Sequence, residues 1–183
     1  MSEASAATAT LELIQGDITE QRVDAIVTAA NTGLRGGGGV DGAVHRAAGP
    51  QLLKACREIG SCPTGSAVIS PSFDLESRGV KHIIHAVGPV WQDGNADEED
   101  MLASVYRTCL ELAERAAVRT IAFPSVSTGI YGFPVELAAS IAIRETRGFL
   151  SEDPSNIERV VFVLFDEDTY AAFERALDAA EET

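Results

Sequence analysis

The chain has 183 residues, 45% of them hydrophobic, with 14 Lys+Arg against 28 Asp+Glu and a formal net charge of −14. That length suits one domain with a respectable core. The acidic balance argues against broad, sequence-independent nucleic-acid binding, which needs clustered Lys and Arg, but a small anion can still be held by backbone N–H groups and helix N-termini.

The opening MSEASAATAT has neither the basic nor the apolar region of a signal peptide, and reads as a disordered tail over residues 1–10 ahead of one domain, 11–183. No apolar run approaches the roughly 20 residues that span a bilayer. A cytoplasmic location with no membrane partner is expected. TLELIQ (10–15) and VDAIVTAA (23–30) read as strands. A short helix runs from Gly42 to Ala48, and Pro50 opens a second, PQLLKACREIG. GSAVISPSF (65–73) and VKHIIHAV (80–87) are strands with no long helix between them, so some pairing in the sheet is expected to be antiparallel. The stretch 97–118 is an amphipathic helix with an acidic first turn, which suits the positive end of the helix dipole. RTIAFPSV (119–126) is a strand, 135–150 a helix, ERVVFVLF (158–165) a strand buried on both faces, and 166–182 the closing helix. Strands alternating with helices imply an α/β sandwich whose mixed central sheet is mostly parallel.

Cys56, Cys62 and Cys109 are odd in number and include no CxxC, so reduced thiols are expected rather than a disulfide framework. His82 and His85, three apart on a strand, point to opposite faces. No Cys/His/Asp spacing suits a metal, and no cofactor is expected.

Two loops stand out. Gly36 to Gly39 are consecutive, and Gly37, Gly39 and Gly42 match G-x-G-x-x-G. The intervening NTGLR and the lack of a strand-borne acidic residue about 20 positions on disfavour a dinucleotide fingerprint. A Walker A loop fails because no Gly-Lys-Ser/Thr follows. Four glycines make sense where another group approaches the backbone closely. The second loop, SVSTGIYGFP (125–134), also leaves a strand and precedes a helix. Loops at the carboxyl ends of strands meet at the ligand crevice of an α/β sheet.

Taken together, GDIT (16–19), VDAIVTAAN (23–31), GGGGVDGAVHRAAG (36–49), STGIYGFP (127–134) and VVFVLFDED (160–168) resemble the macrodomain family, specifically its MacroD-type branch, over about residues 11–182. The resemblance implies a three-layer α/β/α fold with a cleft for ADP-ribose. It implies removal of mono-ADP-ribose from acidic side chains of proteins and deacetylation of O-acetyl-ADP-ribose. The partners would be those molecules and mono-ADP-ribosylated proteins, with no direct nucleic acid.

The resemblance also implies the residue roles. Asp17 accepts from the adenine amine and Ile18 supplies a backbone N–H, although Asp17 can equally cap a turn. Phe165 stacks on adenine, the alternative being a core aromatic; Asp166 beside it reads as a helix cap. Gly37, Gly38, Gly39 and Val40 on one side, and Ser127, Thr128, Gly129, Ile130 and Tyr131 on the other, clamp the diphosphate. Asn31 orients the distal ribose and Asp41 is the catalytic carboxylate, acting on a water that attacks the anomeric carbon through an oxocarbenium-like transition state. His45, one helical turn on, is expected to be structural. One position departs from the family: Thr28 stands where Asn is common, keeping a hydroxyl in place of an amide. The competing readings are an ADP-ribose reader without turnover and a regulator of RNA metabolism, the latter disfavoured by charge.

Overall fold

The computed structural model describes residues 8–182. Strands and helices alternate as expected: β1 (Thr10–Gln15), β2 (Ala25–Ala29), α1 (Gly39–Ala48), α2 (Pro50–Ile59), β3 (Ser66–Pro71), β4 (His82–Val87), α3 (Glu98–Arg115), β5 (Thr120–Phe123), α4 (Val135–Leu150), β6 (Arg159–Leu164) and α5 (Glu167–Glu181). Short 3-10 turns at Ile18–Glu20 and Phe73–Arg78 carry no clear sequence signal. The expected tail, 1–10, lies outside the described residues except for its last three, and Thr10 already pairs with Arg159. The first helix starts at Gly39 rather than Gly42. Its first i→i−4 bond runs from Gly42 N–H to Gly38 C=O at 3.2 Å, so the glycine run, a poor helix former, hides the opening turn.

The strand order is β1-β6-β5-β2-β4-β3, with β3 antiparallel to β4 and every other pair parallel. Side chains alternate between two cores, as strand geometry requires. On β2, Ala25 and Val27 face the core formed with α3, α4 and α5, while Ile26 faces the core formed with α1 and α2. On β6, Val160, Phe162 and Leu164 face the first core and Val161 and Val163 the second. The fold is therefore a three-layer α/β/α sandwich with a mixed sheet. Among the described residues no helix is long and apolar enough to cross a membrane.

Aromatic rings fill the first core. Tyr106 of α3 packs 5.5 Å from Phe123 and 6.0 Å from Phe162, which lies 5.1 Å from Phe173. The Tyr106 hydroxyl accepts from the buried Val126 N–H at 3.0 Å, just past the end of β5. This bond ties the core to the loop that follows. A Tyr106→Phe variant strands that N–H, so urea unfolding should report a loss of about 1–3 kcal/mol; unchanged stability would mean that Val126 finds another acceptor.

Candidate active site

The parallel strands run in one direction, so their carboxyl ends lie along one edge of the sheet, where the following loops build a crevice. The β2–β5 ladder contains only two partner pairs, Ala25↔Ile121 and Ile26↔Ala122. Beyond these the strands no longer pair, while β2 stays paired to β4 through Ala29. A cleft of about 350 Å³ opens there, between the loop after β2 and the loop after β5. Its lining includes Asn31, Gly36 to Asp41, Gly88, Ser127, Gly129, Ile130 and Tyr131.

The first wall is backbone. A Cβ built on Gly37, Gly38 or Gly39 would meet nothing within 4 Å, so these residues open straight onto the cleft. Gly39, at φ +58°, takes a left-handed conformation that a side chain resists. Gly42 is needed for a different reason: a Cβ there would stand 2.6 Å from Gly37 O, so the loop could not fold back on its helix. The N-cap of α1, Gly38, makes no side-chain cap bond. The first-turn N–H groups of a ten-residue helix thus point toward the cleft, with the positive end of the dipole behind them. Asn31 shapes this wall. Its Nδ2 donates to Gly36 C=O at 2.8 Å, and its Oδ1 accepts from Arg35 N–H at 3.1 Å. Each end of the amide retains capacity for a second bond.

The second wall is strained. Ser127 sits at φ +68°, a conformation costing roughly 1–3 kcal/mol for a non-glycine residue and one that concentrates at functional sites. Its hydroxyl is buried with no hydrogen-bond partner among the described residues. Ile130 projects outward, 96% exposed. Thr128, expected in the clamp, instead turns its hydroxyl back onto Ser125 Oγ at 2.8 Å and does not line the cleft. Gly88, at the end of β4, was not singled out from the sequence. A Cβ there would lie 2.1 Å from Ser127 Oγ and 2.6 Å from Val126 Cγ1, so only glycine lets β4 and the second loop close up. A glycine directly after an apolar strand was the available signal.

Asp41 is the buried carboxylate of the cleft. The Thr28 hydroxyl donates to its Oδ1 at 2.9 Å, and His45 Nε2 stands 3.6 Å from the same oxygen, too far for a hydrogen bond. Burial raises its pKa; the Thr28 bond and the proximity of His45 oppose that rise. Thr28 is 0% exposed and does not line the cleft, so it influences the cleft through Asp41. Below it, His85 pairs with Thr28 in the sheet and reaches Ser70 Oγ at 2.9 Å. Burial, and then His45, lower the His85 pKa to about 4, so it stays neutral. Burial, and then the Asp41 charge, push the Cys56 thiol up to about 11, which makes it a poor nucleophile.

The remaining expected residues gather at a neighbouring place. Asp17 and Ile18 follow β1, Phe165 follows β6, and these strands pair along their whole length. None of the three lines the cleft proper. Asp17 Oδ1 caps the first 3-10 turn, accepting from Thr19 N–H at 2.9 Å and Thr19 Oγ1 at 2.7 Å. Phe165 is 79% exposed, so it is no core aromatic. Asp166 caps α5, accepting from Thr169 N–H at 2.8 Å.

The Thr28 contact yields a titration test. A hydroxyl donor favours the ionised carboxylate, so Thr28→Val should raise the Asp41 pKa further, read by NMR titration of its side-chain carboxyl carbon. An unchanged or lowered value would contradict the assigned contact.

Known proteins agree with this architecture. A macro domain family model matches residues 27–142. A macro domain-containing protein of Chlorobaculum tepidum is 54% identical over 169 residues, covering 92% of this chain and 96% of its own. An O-acetyl-ADP-ribose deacetylase of Enterobacter cloacae is 50% identical over 171 residues, covering 91% and 93%. The Oceanobacillus iheyensis macrodomain, solved with ADP, superimposes with a TM-score of 0.89 at 43% identity over 96% of this chain and 93% of that one. The Trypanosoma brucei macrodomain, solved with ADP-ribose, gives 0.85 at 40% identity over 96% and 72%. With its bare-backbone cleft, its mixed six-stranded sheet and these relatives, the chain belongs to the macro domain family.

Proposed function

We propose that the protein is an ADP-ribose-binding hydrolase that removes mono-ADP-ribose from Asp and Glu side chains and also deacetylates O-acetyl-ADP-ribose. The observation that carries this reading is Asp41, a carboxylate set into the wall of a cleft otherwise lined by backbone and neutral side chains. The names of the relatives from Enterobacter cloacae and Oceanobacillus iheyensis support the ligand class. The three cysteines are free and buried, which suits a cytoplasmic setting.

The diphosphate lies between the α1 N-terminus and the second loop, where Ser127 Oγ gains a partner. Adenine rests at the β1/β6 end. There Phe165 offers a face, Ile18 a backbone N–H, and Asp17 its second oxygen to the exocyclic amine. The distal ribose reaches Asn31 and Asp41. A water attacks the anomeric carbon, the carbon–oxygen bond of the ester breaks, the protein carboxylate leaves, and the water proton passes to Asp41. Burial makes Asp41 a stronger base than an exposed carboxylate. The same carboxylate stabilises developing positive charge on the sugar.

Asp41→Ala should cut release of ADP-ribose from a mono-ADP-ribosylated glutamate acceptor about 10²–10⁴-fold while keeping ADP-ribose binding. Binding by the wild type without release would make the protein a reader; absence of binding would contradict the ligand itself. Ionic strength provides a second check. The cleft lining has no Lys or Arg, and the chain shares the sign of the ligand. Raising salt from about 0.02 to about 0.15 M should therefore change affinity less than about twofold, or tighten it. Severalfold weakening, measured by calorimetry, would reveal a cationic contact.

A further inference from the structure

A buried carboxylate sits at the centre of an otherwise exposed loop. Residues 92–97 are all exposed, yet Glu98, the first residue of α3, is 2% exposed. Its Oε2 accepts from Gln92 N–H at 2.8 Å and Gly94 N–H at 2.9 Å, and its Oε1 accepts from Ala96 N–H at 2.5 Å. Burial pulls its pKa upward, but these donors outweigh burial and hold it below the usual carboxylate range. The loop is thus wound around one negative charge, and the neighbouring N-cap residue, Asp97, makes no side-chain cap bond.

The wound loop is fastened to the cleft. Trp91 N–H donates to Tyr131 C=O at 2.8 Å. The Trp91 ring lies 4.8 Å from the Phe133 ring at an interplanar angle of 57°. Gly94 packs beneath it: a Cβ there would stand 3.3 Å from Trp91 Cη2. Phe133 N–H in turn donates to Ser127 C=O at 3.0 Å, and Gly132 N–H to Gly129 C=O at 3.0 Å. Tyr131, Gly129 and Ser127 all line the cleft.

We propose that Glu98 is a positioning residue for the second wall of the cleft: by gathering three backbone N–H groups it fixes segment 91–96, through which Trp91 holds the Ser127–Phe133 loop in the arrangement that receives the diphosphate. The ligand in this statement rests on the hydrolase reading; the mechanical link does not. A role confined to starting α3 would stabilise the fold and leave the second wall unaffected.

The test is Glu98→Gln, whose amide nitrogen cannot accept from the backbone. In the ligand-free protein, amide hydrogen exchange at Gly132 and Phe133 should rise about tenfold. With O-acetyl-ADP-ribose, KM should rise about tenfold while kcat stays within about twofold, because Asn31 and Asp41 stand on the opposite wall. Unchanged exchange at these amides, with only a lowered melting temperature, would overturn the proposal. If Glu98→Gln does not fold, Trp91→Ala must produce the same exchange and KM changes, and their absence there overturns it equally. Should the wild type fail to bind ADP-ribose, the hydrolase reading falls, while the ligand-free exchange result still decides the positioning role.

Discussion

The site depends on where two parallel strands stop pairing. β2 and β5 share two partner pairs and then separate, although β2 continues for three more residues against β4. Strand pairing is the default for neighbouring backbone, because unpaired buried N–H and C=O groups are costly. At this point the fold gives up sheet to gain a crevice, and the lost pairing is replaced from outside the ladder. Tyr106 takes Val126 N–H from the core side. Asn31 and the α1 N-terminus organise the other lip.

The crevice is suited to an anion without being cationic. The groups it presents are N–H groups, a helix dipole and one buried hydroxyl, all neutral in formal charge. An acidic chain can therefore present such a site on an acidic surface. The one carboxylate in the lining is Asp41, which under the proposed reaction stands where charge changes rather than where charge resides in the ligand. Its environment contains opposing influences. Burial weakens its acidity, while the Thr28 hydroxyl and His45 favour the ionised form. His85 beneath stays neutral and adds no opposing cation.

Much of this was readable from residue order. Apolar runs, helical patterns and the acidic first turn of 97–118 located the strands and helices, and two strands without an intervening helix pointed to some antiparallel pairing, which the structure places at the β3 edge. The roles expected of Asn31 and Asp41 came from the family resemblance of the motifs around the glycine run, and both residues line the cleft. Other features depend on tertiary distance. Gly88 is one more glycine until Ser127 Oγ is seen beside it. Thr28 is ambiguous until its hydroxyl is found on Asp41 rather than in the cleft. Thr128 has the right chemistry for a clamp, yet its local turn satisfies it instead. Glu98 looks like any acidic residue in a first helical turn, and only the loop wound around it sets it apart.

Simple charge would place an anion elsewhere. A hollow of about 600 Å³ is lined by Glu20, Arg22, Ser77, Arg78 and Gly79. Arg78, however, already donates to Thr19 C=O at 2.7 Å. The central claim, that bare backbone at the β2 and β5 ends binds the diphosphate, is tested most directly by titrating ADP-ribose into isotopically labelled protein and following backbone amide shifts. The account predicts the largest shifts at Gly37 to Val40 and at Ser127 to Tyr131. Shifts centred on Arg22 and Arg78, with the glycine loop unmoved, would contradict it.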